Sequence, residues 1–68
     1  MLRLTASKDS GTITVFSMRS VGFKKEIMDS CGDVIGCFNQ AEGHIVWNEL
    51  KKKLHDEFPD YLIKEVCE

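Results

Sequence analysis

The sequence predicts a small α+β domain spanning residues 1–68, with the element order ββααβ. Three observations support this fold class: apolar and polar residues alternate near the start, β-forming residues follow a glycine turn, and residues 40–58 carry apolar side chains at helical spacing. A domain of this length buries only about 60% of the surface of its unfolded chain, so we expect marginal stability.

The pattern of residues 2–18 predicts a β-hairpin. Leu2–Ser7 alternates as a half-buried strand does, and Thr12–Met18 is rich in β-formers. Gly11 can adopt the positive φ that the turn between them requires. Ile13 and Val15 are expected to share a face with Leu2 and Leu4. Phe16 and Met18 would then point the other way, either covered by a helix or loop or forming a small exposed contact patch.

Residues 19–38 are ambiguous. Their apolar side chains fall within one helical arc, which predicts a helix from about Val21 to Cys31. Gly32 and Gly36 each cost about 1 kcal/mol relative to Ala in a helix interior, so the helix is not expected to continue regularly. Residues 33–38 are therefore either helix after a kink or a short buried strand.

The clearest element is a long amphipathic helix from Gln40 to Phe58. Asn39 can cap its start together with Glu42, and Pro59 ends it. Gly43 lies at the centre of the apolar face, where a missing side chain allows close approach. That core face contains Val46, Trp47, Leu50, Leu54 and Phe58.

A last strand over Tyr61–Cys67 completes the predicted sheet. With the hairpin it would make three strands, covered on one face by both helices. The alternative order is ββαβαβ, in which Val34–Phe38 is a strand joined to Leu62–Val66 through the long helix. A parallel pair of this kind requires a right-handed crossover.

The cysteines and histidines do not predict a metal site or a cofactor. Cys31, Cys37 and Cys67 are odd in number, which favours free thiols and a reducing, cytoplasmic compartment. His44 and His55 lie eleven residues apart, unlike the close pairs of structural zinc sites. We expect small buried cysteines and solvated histidines. No apolar run approaches the roughly 20 residues of a membrane span, so no membrane partner is expected.

The run Leu50–Pro59 resembles the first helix and following turn of selenoprotein-W-like thioredoxin-fold proteins. A redox pair precedes that helix in the family. The segment 37–40 occupies this place here but holds only Cys37, without the second redox residue. The resemblance covers under a third of the chain and implies, as one alternative, a thiol-redox protein centred on Cys37.

Charge is spread unevenly. Residues 1–30 carry net +2 and residues 31–68 carry net −4, within a total of −2. A nucleic-acid-binding protein that uses the basic half is therefore another alternative, although general nucleic-acid binding usually needs a stronger basic patch. Phe16 or Phe23 could stack on bases. The basic residues concerned are Arg3, Lys8, Arg19, Lys24 and Lys25.

The favoured function is a non-enzymatic protein-binding module that regulates or inhibits its partner, a profile common among accessory proteins of phages and mobile elements. No nucleophile elbow, carboxylate pair or phosphate loop is present to favour an enzyme. A homodimer is also compatible with the sequence. The predicted contact surface centres on Ile45, with Glu49, Lys52 and Asp56 around it, if the helix begins at Gln40; a later start would pack Ile45 inside.

Overall fold

Five strands form one antiparallel sheet, and a single helix covers one of its faces. A computed structural model describes all of residues 1–68. The strands lie side by side in the order β4-β3-β2-β1-β5. The elements are β1 (Leu2–Lys8), β2 (Gly11–Val21), β3 (Lys24–Met28), β4 (Val34–Asn39), α1 (Gln40–Glu57) and β5 (Leu62–Cys67).

The α+β class is confirmed, but the predicted order ββααβ is wrong because there is one helix and not two. The segment expected as a helix, Val21–Cys31, contains the end of β2, a turn and all of β3. The alternative ββαβαβ is wrong as well, although Val34–Asn39 is a strand. The two strands that α1 connects lie at opposite edges of the sheet and do not pair.

Turn chemistry explains the missing helix. Gly22 and Gly32 have φ values of 62° and 87°, a left-handed conformation that glycine adopts without steric penalty. The carboxylate of Asp29 accepts hydrogen bonds from the backbone N–H groups of Cys31 and Asp33 at 2.9 and 3.0 Å. These contacts close the β3–β4 turn, so the chain reverses twice where the apolar spacing suggested continuous helix.

Strand β2 links two halves of the sheet. Its first part pairs with β1, and its last part pairs with β3. Only Ser17 and Met18 pair with both neighbours. The sheet is therefore staggered along β2, which gives the molecule its elongated dimensions of 38 × 19 × 19 Å.

A β-bulge in β2 reverses the predicted facing of the side chains that follow it, whereas Ile13 pairs with Ala6 and keeps its predicted face. Leu4 pairs with Phe16 while Thr5 pairs with Thr14, so Val15 is the extra residue. Phe16 and Met18 consequently share the helix-covered face with Leu4. The prediction that they point away from it is wrong, and Met18 is only 2% exposed.

Both predicted ends of the long helix are confirmed. The side-chain carbonyl of Asn39 accepts a hydrogen bond from the Glu42 backbone N–H at 2.8 Å, and its amide donates to the Glu42 carboxylate at 2.8 Å. At the other end, the Phe58 N–H donates to the Leu54 carbonyl at 2.9 Å, and Pro59 follows. Local capping therefore sets where α1 begins and ends.

The core lies between α1 and the middle of the sheet. Gly43 is buried against β3, as predicted: a Cβ atom there would lie 2.9 Å from the Lys25 Cβ. Seven apolar residues are buried, whereas ten large apolar residues remain exposed, so much apolar surface faces water. The central cluster consists of Leu4, Met18, Ile27, Trp47 and Leu54.

Candidate functional site

The main concavity lies between the C-terminal half of α1 and β2. It encloses about 160 Å³ and is mostly apolar. The bulge at Val15 widens the strand at this level and directs two consecutive apolar side chains toward the helix. Its apolar lining consists of Val15, Phe16, Leu50, Leu54 and Phe58, and Lys53 and Glu57 also border it.

A second, wholly apolar depression of about 110 Å³ adjoins the first. The two share Val15 and Phe58, so they form one continuous trough, called here the hairpin groove. Ile13 is 61% exposed and Phe58 is 40% exposed, although both line it. The second depression is formed by Ala6, Ile13, Val15, Phe58 and Tyr61.

Aromatic contacts position Phe58 and Tyr61, which line one side of the hairpin groove. The rings of Phe58 and Tyr61 meet edge to face, with centroids 5.5 Å apart at 79°. The Lys8 ammonium lies 4.9 Å from the Tyr61 ring centroid, within the range of a cation–π interaction. These contacts bridge the helix end, the following turn and the tip of the first hairpin, so the wall is preformed.

The groove has an apolar floor and a charged border. Lys53 and Glu57 form an i,i+4 ion pair at 3.9 Å along the helix, and Lys8 stands at the opposite end. Protein interfaces share this anatomy, with an apolar centre inside a polar rim. Both positive and negative side chains border the groove, so its charge does not favour a strongly anionic or a strongly cationic ligand.

The predicted helix surface is exposed. Because α1 begins at Gln40, Ile45 projects outward and is 60% exposed, together with Glu49, Lys52 and Asp56. The alternative of a later helix start with Ile45 packed inside is wrong. These four residues form a convex stripe on the outer face of α1, not a concavity.

The other two predicted contact residues lie beneath the helix. Met18 belongs to the buried core and cannot present a surface in this fold. Phe16 is half-buried and lines the hairpin groove. The proposed exposed patch of Phe16 and Met18 is therefore not formed, because the bulge turns both toward α1.

The five basic residues of the N-terminal half do not converge. Arg3 pairs with Glu68 at 3.2 Å and Arg19 with Glu26 at 2.8 Å, so neighbouring carboxylates offset both charges. Lys8 lies against Tyr61 at one end of the molecule. Lys25 lies under the helix and donates to the Ser20 hydroxyl at 2.7 Å, and Lys24 follows the turn that carries Phe23.

The three cysteines are exposed and unpaired, so the expectation that they are buried is wrong. Cys37 lies on β4 and pairs with Glu26, on the sheet face opposite α1. It is thus directed away from the helix. No group of three or more His, Cys, Asp or Glu side chains is placed to hold a metal ion.

One partly buried polar contact joins β5 to α1. The Trp47 indole donates to the Glu65 carboxylate at 2.5 Å, and the Lys51 ammonium lies 3.3 Å from its other oxygen. The pKa of Glu65 is lowered, first by the hydrogen bond from Trp47 and then by Lys51. Partial burial acts in the opposite direction and raises it. Trp47 is otherwise buried, so this network satisfies its only polar atom and serves the fold.

Sequence reasoning missed most of the hairpin groove. It placed Phe58 in the core and Tyr61 in a strand. It put Ile13 on the correct face, that of Leu2 and Leu4, but did not bring these three residues together. The available signal was the pair of aromatic residues flanking the Pro59–Asp60 turn. Their approach to Ile13 depends on contacts across the fold that no local pattern reports.

Comparison with known protein families, curated proteins and solved structures finds no match to this chain. No helix in the structure combines the length and the apolar character needed to cross a bilayer.

Proposed function

We propose that this chain is a small non-enzymatic protein-binding module that regulates or inhibits its partner by occluding a surface, in a reducing, cytoplasmic compartment. The observation that carries the proposal is the hairpin groove, a preformed apolar trough with a charged rim. Burial of apolar surface stabilises an interface by about 25 cal/mol per Å². Exposed Ile13 and Phe58 would gain that stabilisation when a partner covers them.

The size of the groove favours a side chain from a protein as its occupant. Its larger half encloses about 160 Å³. Small-molecule and cofactor sites typically enclose about 300–1,000 Å³, so this trough is too small for most such ligands. An apolar side chain anchored on a partner protein suits it, with the partner's polar groups meeting Lys53 and Glu57 at the rim.

The alternative surface for the same function is the outer stripe of α1, centred on Ile45. Ile13 and Ile45 make a matched pair, since they are 61% and 60% exposed and neither belongs to the central core cluster. Replacing each with Asp therefore compares the groove with the stripe at equal exposure.

The test is capture of a partner from cell lysate by the immobilised protein, with and without nuclease. We expect Ile13→Asp to lose a nuclease-resistant protein partner that the parent and Ile45→Asp retain. Ile13→Thr shortens the apolar side chain but keeps a β-branched residue in the strand. If it melts at the same temperature as the parent, any loss of capture is lost binding and not lost folding. Capture lost only with Ile45→Asp would move the contact to the stripe. A prey that disappears with nuclease would instead support the nucleic-acid alternative.

A further inference from the structure

The outer edge of β4 is unprotected. β4 pairs with β3 on one side and has no neighbouring strand on the other. Its six residues, Val34–Asn39, include no charged residue and no proline, and Val34 and Ile35 are 48% and 52% exposed. Natural sheets usually block free edges with charge or proline, because an open edge is a template for pairing with another chain.

We propose that a second copy of this chain pairs antiparallel with β4 along this edge and forms a symmetric dimer with one continuous sheet. This surface is separate from the hairpin groove, which lies between α1 and the β1–β2 hairpin. The dimer therefore does not depend on the proposed function.

Symmetry restricts the pairing. In a two-fold antiparallel pair, opposite residues must lie on the same sheet face, and side chains alternate between faces, so one residue must face its own copy. The bulge of β4 limits the choice further. Met28 pairs with Val34 and Ile27 with Gly36, so regular alternation begins only at Gly36.

Only one register pairs residues of this regular segment so that opposite residues lie on the same sheet face. Centring on Cys37 places Gly36 opposite Phe38 of the second copy, and both lie on the same sheet face. Centring on Gly36 would set Val34 against Phe38, although these two residues belong to opposite faces. Centring on Phe38 would require pairing by Gln40, which is already helical. The geometry therefore selects the register in which Cys37 faces its own copy.

The other free edge disfavours a second copy. The middle of β5 carries Lys64 and Glu65. Symmetric pairing centred on either residue would place two like charges directly opposite each other, which is destabilising. Glu65 is also engaged by Trp47 and Lys51. β4 therefore differs from β5 in carrying no charged residue along its free edge.

The first test is sedimentation equilibrium of charge variants at Cys37, which is exposed. We expect the parent to dimerise and Cys37→Lys and Cys37→Glu each to weaken the dimer more than about tenfold, because like charges would meet at the two-fold axis. Mixing the two variants should restore association. Cys67→Lys, on β5, is the matched control and should leave the dimer unchanged.

The second test is cross-linking with a short bismaleimide. Directly opposite residues in antiparallel strands have Cβ atoms about 4.5–5.5 Å apart. The double variant Cys31→Ser, Cys67→Ser, which keeps only Cys37, should give a covalent dimer, and the variant that keeps only Cys67 should not. A parent that stays monomeric up to its solubility limit would overturn the proposal. A dimer whose affinity Cys37→Lys leaves unchanged would overturn it equally.

Discussion

Gly43→Ala tests the packing of α1 on the sheet, because two opposing effects meet at this residue. In a helix interior, replacing Gly with Ala ordinarily stabilises by about 1 kcal/mol. Here the added Cβ would lie 2.9 Å from the Lys25 Cβ and 3.0 Å from its Cγ. Carbon atoms in favourable contact are about 3.5–4.0 Å apart, so the helix or β3 must move.

The clash should outweigh the helix propensity. The nearer atom is the Lys25 Cβ, which is fixed to the backbone of β3 and cannot swing aside as a side-chain end can. Overpacking of this kind costs about 1–3 kcal/mol. We therefore expect the free energy of unfolding to fall by up to about 2 kcal/mol. For a domain of this size, 1 kcal/mol corresponds to about 4–8 °C in melting temperature.

Urea denaturation followed by Trp47 fluorescence measures the effect. The control is the same substitution in a Lys25→Gly background, where both clashing atoms are gone. There, Gly43→Ala should stabilise by about 1 kcal/mol, the ordinary helix value. A gain in stability from Gly43→Ala in the parent chain would refute the close approach of α1 to β3.

Two further predictions concern the core and the β5 contact. Leu54→Ala removes a side chain that is 3% exposed and should cost about 2–5 kcal/mol, leaving the protein largely unfolded at 37 °C by circular dichroism; a melting temperature within a few degrees of the parent would contradict this. The lowered pKa of Glu65 means that its ionised form stabilises the fold above the ordinary carboxyl pKa, and that this contribution disappears as pH falls through the lowered value. Glu65→Gln should therefore reduce stability near neutral pH, by no more than about 1 kcal/mol because the carboxylate is over one third exposed, and should match the parent in strong acid. A difference that stays constant with pH would show that the charge of Glu65 contributes nothing.

The long helix was predictable because its signals are local. Asn39, Glu42 and Pro59 act within one turn of each helix end, and the apolar spacing between them needs no knowledge of the partner surface. The buried position of Gly43 followed from that helix and is confirmed. The sequence left Ile45 open between an exposed and a packed position, and the observed helix start at Gln40 exposes it. The first hairpin was predictable for the same reason, since Gly11 sits at its turn.

The second half of the sheet was not predictable in this way. Ile27 and Met28 are both buried although neighbouring strand residues point to opposite faces. Ile27, Met28, Cys31 and Val34 have the same spacing in sequence as apolar residues on one face of a helix. Pairing with β2 and β4 is what distinguishes this segment as a strand, and apolar spacing does not report that pairing.

The sequence by itself determined one amphipathic helix with defined ends, a starting hairpin, and the α+β class. The tertiary structure decided which faces the strands present and where the edges lie. One bulge at Val15 turned Phe16 and Met18 from an expected surface patch into groove wall and core. The hairpin groove joins Ile13 to Phe58, residues far apart in sequence, so it exists only once the end of the helix and the following turn lie against the first hairpin. Such features depend on long-range packing, which local spacing and turn chemistry do not encode.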